Sequence, residues 1–122
     1  MKNYLLSLVS LCILISFSYQ NNLSAQGFNS ITTPDGVNIV AVGNAGKYYR
    51  SGNGGVTYSS YTAIGVPNLN SVTSVGNDVW IAGQNGNVLK TLKTTSPVTT
   101  YNVGSSNTLN SIFFINSLNE TL

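Results

Sequence analysis

Residues able to do acid, base or ligand chemistry are few in this chain and widely separated. The acids are Asp35, Asp78 and Glu120, the cations Lys2, Lys47, Arg50, Lys90 and Lys93; there is no histidine and one cysteine, Cys12. Without histidine no Ser-His-Asp arrangement can form, and zinc sites of the Cys/His type are removed. Ordinary glycoside hydrolysis needs two carboxylates flanking the bond, and Asp35 and Asp78 are the pair to weigh. Each falls in a short turn, Pro34-Asp35-Gly36 and Gly76-Asn77-Asp78, where aspartate is favoured because it bonds to nearby backbone. Turn roles are therefore expected for both. Calcium takes about six to eight oxygen ligands and prefers several carboxylates, which three scattered acids do not supply. The run Gly52-Asn53-Gly54-Gly55 lacks the Lys-Ser/Thr of a phosphate-binding loop and reads as a hairpin turn. No catalytic residue, cofactor or metal is expected from this inventory.

Charged residues make up 7% of the chain, with a net charge of +2. No basic stripe exists to neutralise a row of phosphates, so nucleic acid is not an expected partner. Solubility rests on the many Asn, Ser and Thr side chains.

The elements that must position these residues are announced by a repeat. Phe28-Asn29-Ser30-Ile31, Leu69-Asn70-Ser71-Val72 and Leu109-Asn110-Ser111-Ile112 recur with their serines 41 and then 40 residues apart. A period of roughly 40–45 residues is that of a four-stranded β-propeller blade, which cannot bury its apolar face alone. Four strands are predicted in the first repeat, near 29–33, 38–42, 47–51 and 57–63, and four in the second, near 71–75, 79–82, 88–91 and 99–103. Turn residues separate them: Gly43-Asn44-Ala45-Gly46 in the first copy answers Gly83-Gln84-Asn85-Gly86 in the second. The fold class expected is all-β, a partial propeller of two four-stranded antiparallel blades (28–66 and 69–108) plus the first strand of a third (109–122, centred on 111–115). Trp80 is expected in the core between blades. Tyr48 and Tyr49 are adjacent on one strand and must point to opposite faces.

Residues 1–25 stand apart from the repeat. Met1-Lys2-Asn3, the apolar run from Tyr4 to Phe17 and the polar stretch ending Leu23-Ser24-Ala25 have the layout of a secretory signal peptide. Its apolar run is shorter than the roughly 20 residues a spanning helix needs. The expected location is outside the cytoplasm: periplasmic, cell-surface or extracellular, with membrane contact only through this transient segment. Once it is cleaved, no cysteine remains for a disulfide.

The segment from Arg50 to Tyr58 resembles the Asp-box, or bacterial neuraminidase repeat, of form Ser/Thr-x-Asp-x-Gly-x-Thr-aromatic. Ser51, Gly55, Thr57 and Tyr58 match, and Asn53 stands where aspartate is usual. The resemblance implies a structural turn between the third and fourth strands of a blade, its short polar side chain capping backbone amides and its aromatic ring packed beneath. The second repeat lacks the box. The wider unit is similar to repeats of photosystem II stability/assembly factor-like propellers, through Leu69-Asn70-Ser71-Val72, Trp80-Ile81-Ala82-Gly83, Gly86-Asn87-Val88-Leu89-Lys90-Thr91 and Leu109-Asn110-Ser111-Ile112-Phe113-Phe114.

The resemblance specifies a blade and says little about function; the function expected is that of a non-catalytic binding or scaffold module for a protein or glycan at the bacterial cell surface or outside the cell. Two alternatives stay open. One is the N-terminal part of a sialidase-like glycoside hydrolase with its catalytic residues beyond 122, since such a site needs several arginines, a tyrosine nucleophile and acidic partners. The other is a photosystem II assembly factor-like protein. Propellers have about 4–8 blades, so a longer gene product is expected, and residues 26–122 alone are expected to associate or be partly unfolded.

Overall fold

The structure, a computed structural model, describes residues 27–95 and 97–115; the expected signal peptide lies outside the described residues. It is all-β, with two four-stranded antiparallel sheets. The first is a meander of β1 (Phe28–Thr32), β2 (Ile39–Gly43), β3 (Lys47–Ser51) and β4 (Ser59–Thr62). The second repeats it with β5 (Leu69–Val75), β6 (Asp78–Gly83), β7 (Asn87–Leu92) and β8 (Thr99–Asn102). The expected strand positions hold to within two residues, β5 starting two residues early, at Leu69. Thr57 and Tyr58 belong to the turn before β4.

Antiparallel meanders follow from β-branched runs separated by turns of the right hand. The β2–β3 and β6–β7 connections show this best. Ala45 and Gly46 both have positive φ (53° and 66°), as do Asn85 and Gly86 (59° and 66°), and the Lys47 N–H donates to the Asn44 carbonyl at 3.1 Å. Two consecutive left-handed residues match the twist of a tight hairpin. Gly46 is further fixed by its surroundings, since a Cβ there would lie 2.6 Å from the carbonyl oxygens of Ala63 and Val66. The second copy of this turn registers as a single 3-10 turn, Gln84–Gly86.

Each sheet has two faces, and here both carry apolar side chains. On the face of the first sheet turned to the second, Val40, Val42 and Tyr48 are buried. They meet Leu69, Val72, Val79, Ile81 and Leu89 of the second sheet, with Ala63 and Val66 from the connection between them, to form one core. Six of these residues are under 2% exposed, and each such side chain contributes about 1.5–3 kcal/mol by leaving water. We call the face directed at the following unit the trailing face and its opposite the leading face. Alternation along the strand places Tyr48 on the trailing face, stacked on Tyr61 at 5.2 Å, and Tyr49 on the leading face, edge-on to Phe28 at 5.0 Å.

Two expectations are corrected. Trp80 is half-buried, not enclosed. It lies on the trailing face of the second sheet, in the position Val40 has in the first, and only part of a third unit covers that face among the described residues. The segment from Leu109 to Ile115 is not a strand. It is bonded to the second sheet, but the residues that follow 115 and would form its hairpin lie outside the described ones.

The left-handed Ala45 is the weak point of the first hairpin, since a Cβ in that conformation costs about 1–2 kcal/mol. Ala45→Asn, which copies Asn85 of the second hairpin, is expected to raise stability by about 1 kcal/mol. A urea unfolding midpoint unchanged or lowered would contradict this.

Candidate functional site

The polar residues converge on the seam between units. In β1 and β5 the pairing with the neighbouring strand slips by one residue, between Phe28 and Ser30 and again between Leu69 and Ser71. Such a bulge frees one residue and re-aims its side chain. The freed residues are Asn29 and Asn70. The Asn29 side-chain amide donates to the Leu69 carbonyl at 2.8 Å, and the Ser30 hydroxyl accepts from the Val72 N–H at 3.1 Å. One unit later the Asn70 amide donates to the Leu109 carbonyl at 2.9 Å, and the Ser71 hydroxyl accepts from the Ile112 N–H at 3.2 Å. The recurring Asn-Ser pair is thus a staple from each unit to the next. Sequence reasoning used this motif only to measure the period; the signal for its role was the exact recurrence of two small polar residues flanked by apolar ones.

Around the rim of the same seam lie two cations, Arg50 and Lys93. Arg50 is buried at 8% exposure on the trailing face, and its guanidinium donates to the Leu92 carbonyl at 2.5 Å and to the Thr91 hydroxyl at 3.5 Å. Burial pulls its pKa below the ordinary arginine value, an arrangement tolerated because the charge stays partnered. Lys93 pairs with Asp35 of the first unit at 3.0 Å. Together with Asn38, Ser51, Gly52, Ser59, Tyr61 and Thr94 they line a polar cleft of about 170 Å3. It can offer hydrogen-bond donors to a small polar group.

The turn from Ser51 to Tyr58 lies beside this cleft. The Ser51 hydroxyl accepts from the N–H groups of Asn53 and Gly55, at 3.3 and 2.9 Å, and donates to the Asn53 side-chain oxygen at 2.9 Å. That oxygen also accepts from the Thr57 N–H at 3.0 Å, while the Asn53 amide donates to the Thr57 hydroxyl at 2.8 Å. Gly55 has φ of 90° with the Tyr58 hydroxyl against it, and Tyr58 is half exposed. In the second unit Thr91 stands in the place of Ser51, and its hydroxyl donates to the Thr95 carbonyl at 2.9 Å.

Asp35 caps its own turn, accepting from the N–H groups of Val37 and Asn38 and from the Asn38 amide, at 2.7–3.0 Å. The Asn38 backbone and side-chain bonds, and then Lys93, hold its carboxyl well below the usual carboxylate range. Asp78 pairs with Lys90 at 2.9 Å across the hairpin, and Lys90 also sits 5.1 Å from the Trp80 ring. Trp80 further contacts Tyr101 and Phe114, at 6.3 and 5.3 Å. Among the described residues no cluster of three or more His, Cys, Asp or Glu lies together to hold a metal ion. No protein-family model matches the chain, and no curated protein or solved structure matches it significantly.

Two outcomes follow from this geometry. Ser30→Ala leaves the Val72 N–H without its acceptor and is expected to cost about 1–2 kcal/mol, whereas Ser111→Ala, at the same place in the third motif, should leave the melting temperature unchanged. Equal losses at the two sites would refute the staple. The second concerns acid. Asp35 has its pKa lowered on folding, so its contribution is complete above the unfolded value near 4 and is lost as pH falls through the folded one. Between pH 7 and pH 2 the wild type should therefore lose more stability than Asp35→Asn; parallel pH profiles would show the cap to be inert.

Proposed function

We propose that this chain is a segment of an exported β-propeller and serves as a non-catalytic module, binding or scaffolding a protein or glycan at the bacterial cell surface or outside the cell. The observation that carries the reading is the repetition of one inter-unit contact. The Asn-Ser staple runs from the first unit to the second and again from the second to the third segment, with near-identical distances. A contact that propagates in one direction is what a ring of blades is built from, since each blade is stabilised by its neighbours.

The binding reading is supported by how the chemistry-bearing residues are used. Asp35, Asp78, Arg50 and the box residues hold turns and seams, and this makes a rigid body with connections along its rim. A preformed surface binds with little ordering cost. The cleft around Arg50 and Lys93 offers such a surface with hydroxyl, amide and cationic donors, suited to the hydroxyls and carboxylates of a glycan or an acidic peptide loop.

The test is to present the labelled full chain to a glycan array, and to incubate it with fluorogenic glycosides and sialosides. Saturable binding without turnover is expected, weakened when Lys93→Ala opens one side of the cleft. Release of the fluorophore that disappears in Asp35→Asn or Asp78→Asn would overturn the non-catalytic reading.

A further inference from the structure

Arg50 is buried, and neither of its partners carries a negative charge: its guanidinium donates to the Leu92 carbonyl and the Thr91 hydroxyl. Among the described residues the acids are engaged elsewhere, Asp35 with Lys93 and Asp78 with Lys90. A charge taken out of water is ordinarily matched by an opposite one. A guanidinium also carries five N–H groups in a planar fork, so these two bonds leave donors to spare. Arg50 lines the polar cleft between the units, and so does Lys93. The Lys93 ammonium stays tied to Asp35, so Arg50 supplies the unspent charge and Lys93 adds its remaining donors. The second unit has Lys90 in the place of Arg50, already neutralised by Asp78. The buried cation without a carboxylate is particular to the first unit.

The rest of the cleft asks for a different kind of partner. The hydroxyls of Ser59, Tyr61 and Thr94 belong to its lining, and each can both donate and accept. The Asn38 amide donates to Asp35 at 2.8 Å, which leaves its side-chain oxygen to serve as an acceptor. Tyr61, its ring stacked on Tyr48 at 5.2 Å, adds an apolar wall. A bare carboxylate would satisfy the cations, but it only accepts and offers nothing to Asn38. Hydroxyls on adjacent ring carbons do both. The volume of about 170 Å3 is the room of about six waters at ~30 Å3 each. One sugar ring fills such a space, and a run of peptide overfills it.

We propose that this cleft takes one uronic acid residue of an acidic glycan. The sugar's carboxylate meets Arg50 and Lys93, its hydroxyls exchange hydrogen bonds with Ser59, Thr94 and the Asn38 oxygen, and its carbon face rests against Tyr61. The planar fork of an arginine suits a carboxylate better than an ammonium does, because it can bond both oxygens at once. An acidic peptide is the poorer occupant: an Asp or Glu side chain brings the carboxylate without the hydroxyls that the rest of the lining would pair. The inference rests on the binding-module reading and names the ligand class of the same cleft.

Isothermal titration of the full chain with trigalacturonate, its methyl ester and tetraglutamate is the test. The ester keeps the ring and loses the charge, and the peptide keeps the charge and loses the ring. Trigalacturonate should bind saturably, about tenfold or more tighter than either, and more weakly as salt is raised. Ser59→Trp, an exposed substitution that fills the cleft and leaves the Arg50 bonds in place, should abolish binding at an unchanged melting temperature. Arg50→Gln should bring trigalacturonate down to the level of its ester. Because Arg50 also ties the seam, Ser59→Trp carries the test if that variant melts early. Equal affinity for the ester overturns the carboxylate contact, and tighter binding of tetraglutamate makes the cleft a peptide site and overturns the glycan. Binding that survives Ser59→Trp places the ligand elsewhere and overturns the proposal too. If none of the three binds, the proposal fails; neutral glycans captured on an array would then keep the binding-module reading, and an empty array would sink both.

Discussion

The one-residue bulge in the first strand of each unit decides how the units meet. Side chains on a regular strand alternate between faces, so Asn29 and Ser30 would otherwise point to opposite sides. With the slip between Phe28 and Ser30, and between Leu69 and Ser71, an amide and a hydroxyl reach the next unit together. The same slip puts the flanking apolar residues, Leu69 and Val72, both on the leading face where they are buried. One local irregularity thus sets the polar and apolar halves of the seam at once.

Those halves do different work. Burial of Leu69, Val79, Ile81 and Leu89 against Val40 and Val42 supplies the free energy, at about 1.5–3 kcal/mol for each side chain. Each staple bond adds only about 0.5–1.5 kcal/mol net. Its importance lies in register: an apolar face can slide over another apolar face, but an amide and a hydroxyl each reach only one partner. Arg50 extends this logic to the rim. Its charge is desolvated, and the Leu92 carbonyl and Thr91 hydroxyl of the second unit keep it partnered.

Much of this was legible in the sequence because its signals were local. Asn85-Gly86 demands a hairpin turn, and alternation fixes the faces of Tyr48 and Tyr49. What failed was long-range. Trp80 was matched to Val40 correctly, but burial depends on what covers a position, and sequence equivalence carries no information on cover. The third motif was read as a strand because its residues match the first two, whereas a strand also needs a partner in its ladder. The staple escaped notice for a related reason. Spacing shows that Asn-Ser recurs, and only the fold shows that recurrence and contact share one direction.

Comparison of the two units separates maintenance from opportunity. Positions alike in both, such as Asn29 and Asn70, Ser30 and Ser71, Gly46 and Gly86, serve the seam and the turns, and any unit of this repeat must keep them. Differences are where a particular function has room to lodge. Arg50 and Lys90 occupy the same place, yet Arg50 bridges to the following unit while Lys90 turns to Asp78 and the Trp80 ring. The hydrogen-bonded turn at Ser51–Tyr58 is found in the first unit, and in the second its place is taken by a longer connection bearing Lys93, which crosses back to Asp35. These differences meet at one cleft, built by the turn of one unit and the loop of the next. A ligand bound there would contact both units at once, and its affinity would depend on the seam that holds them in register.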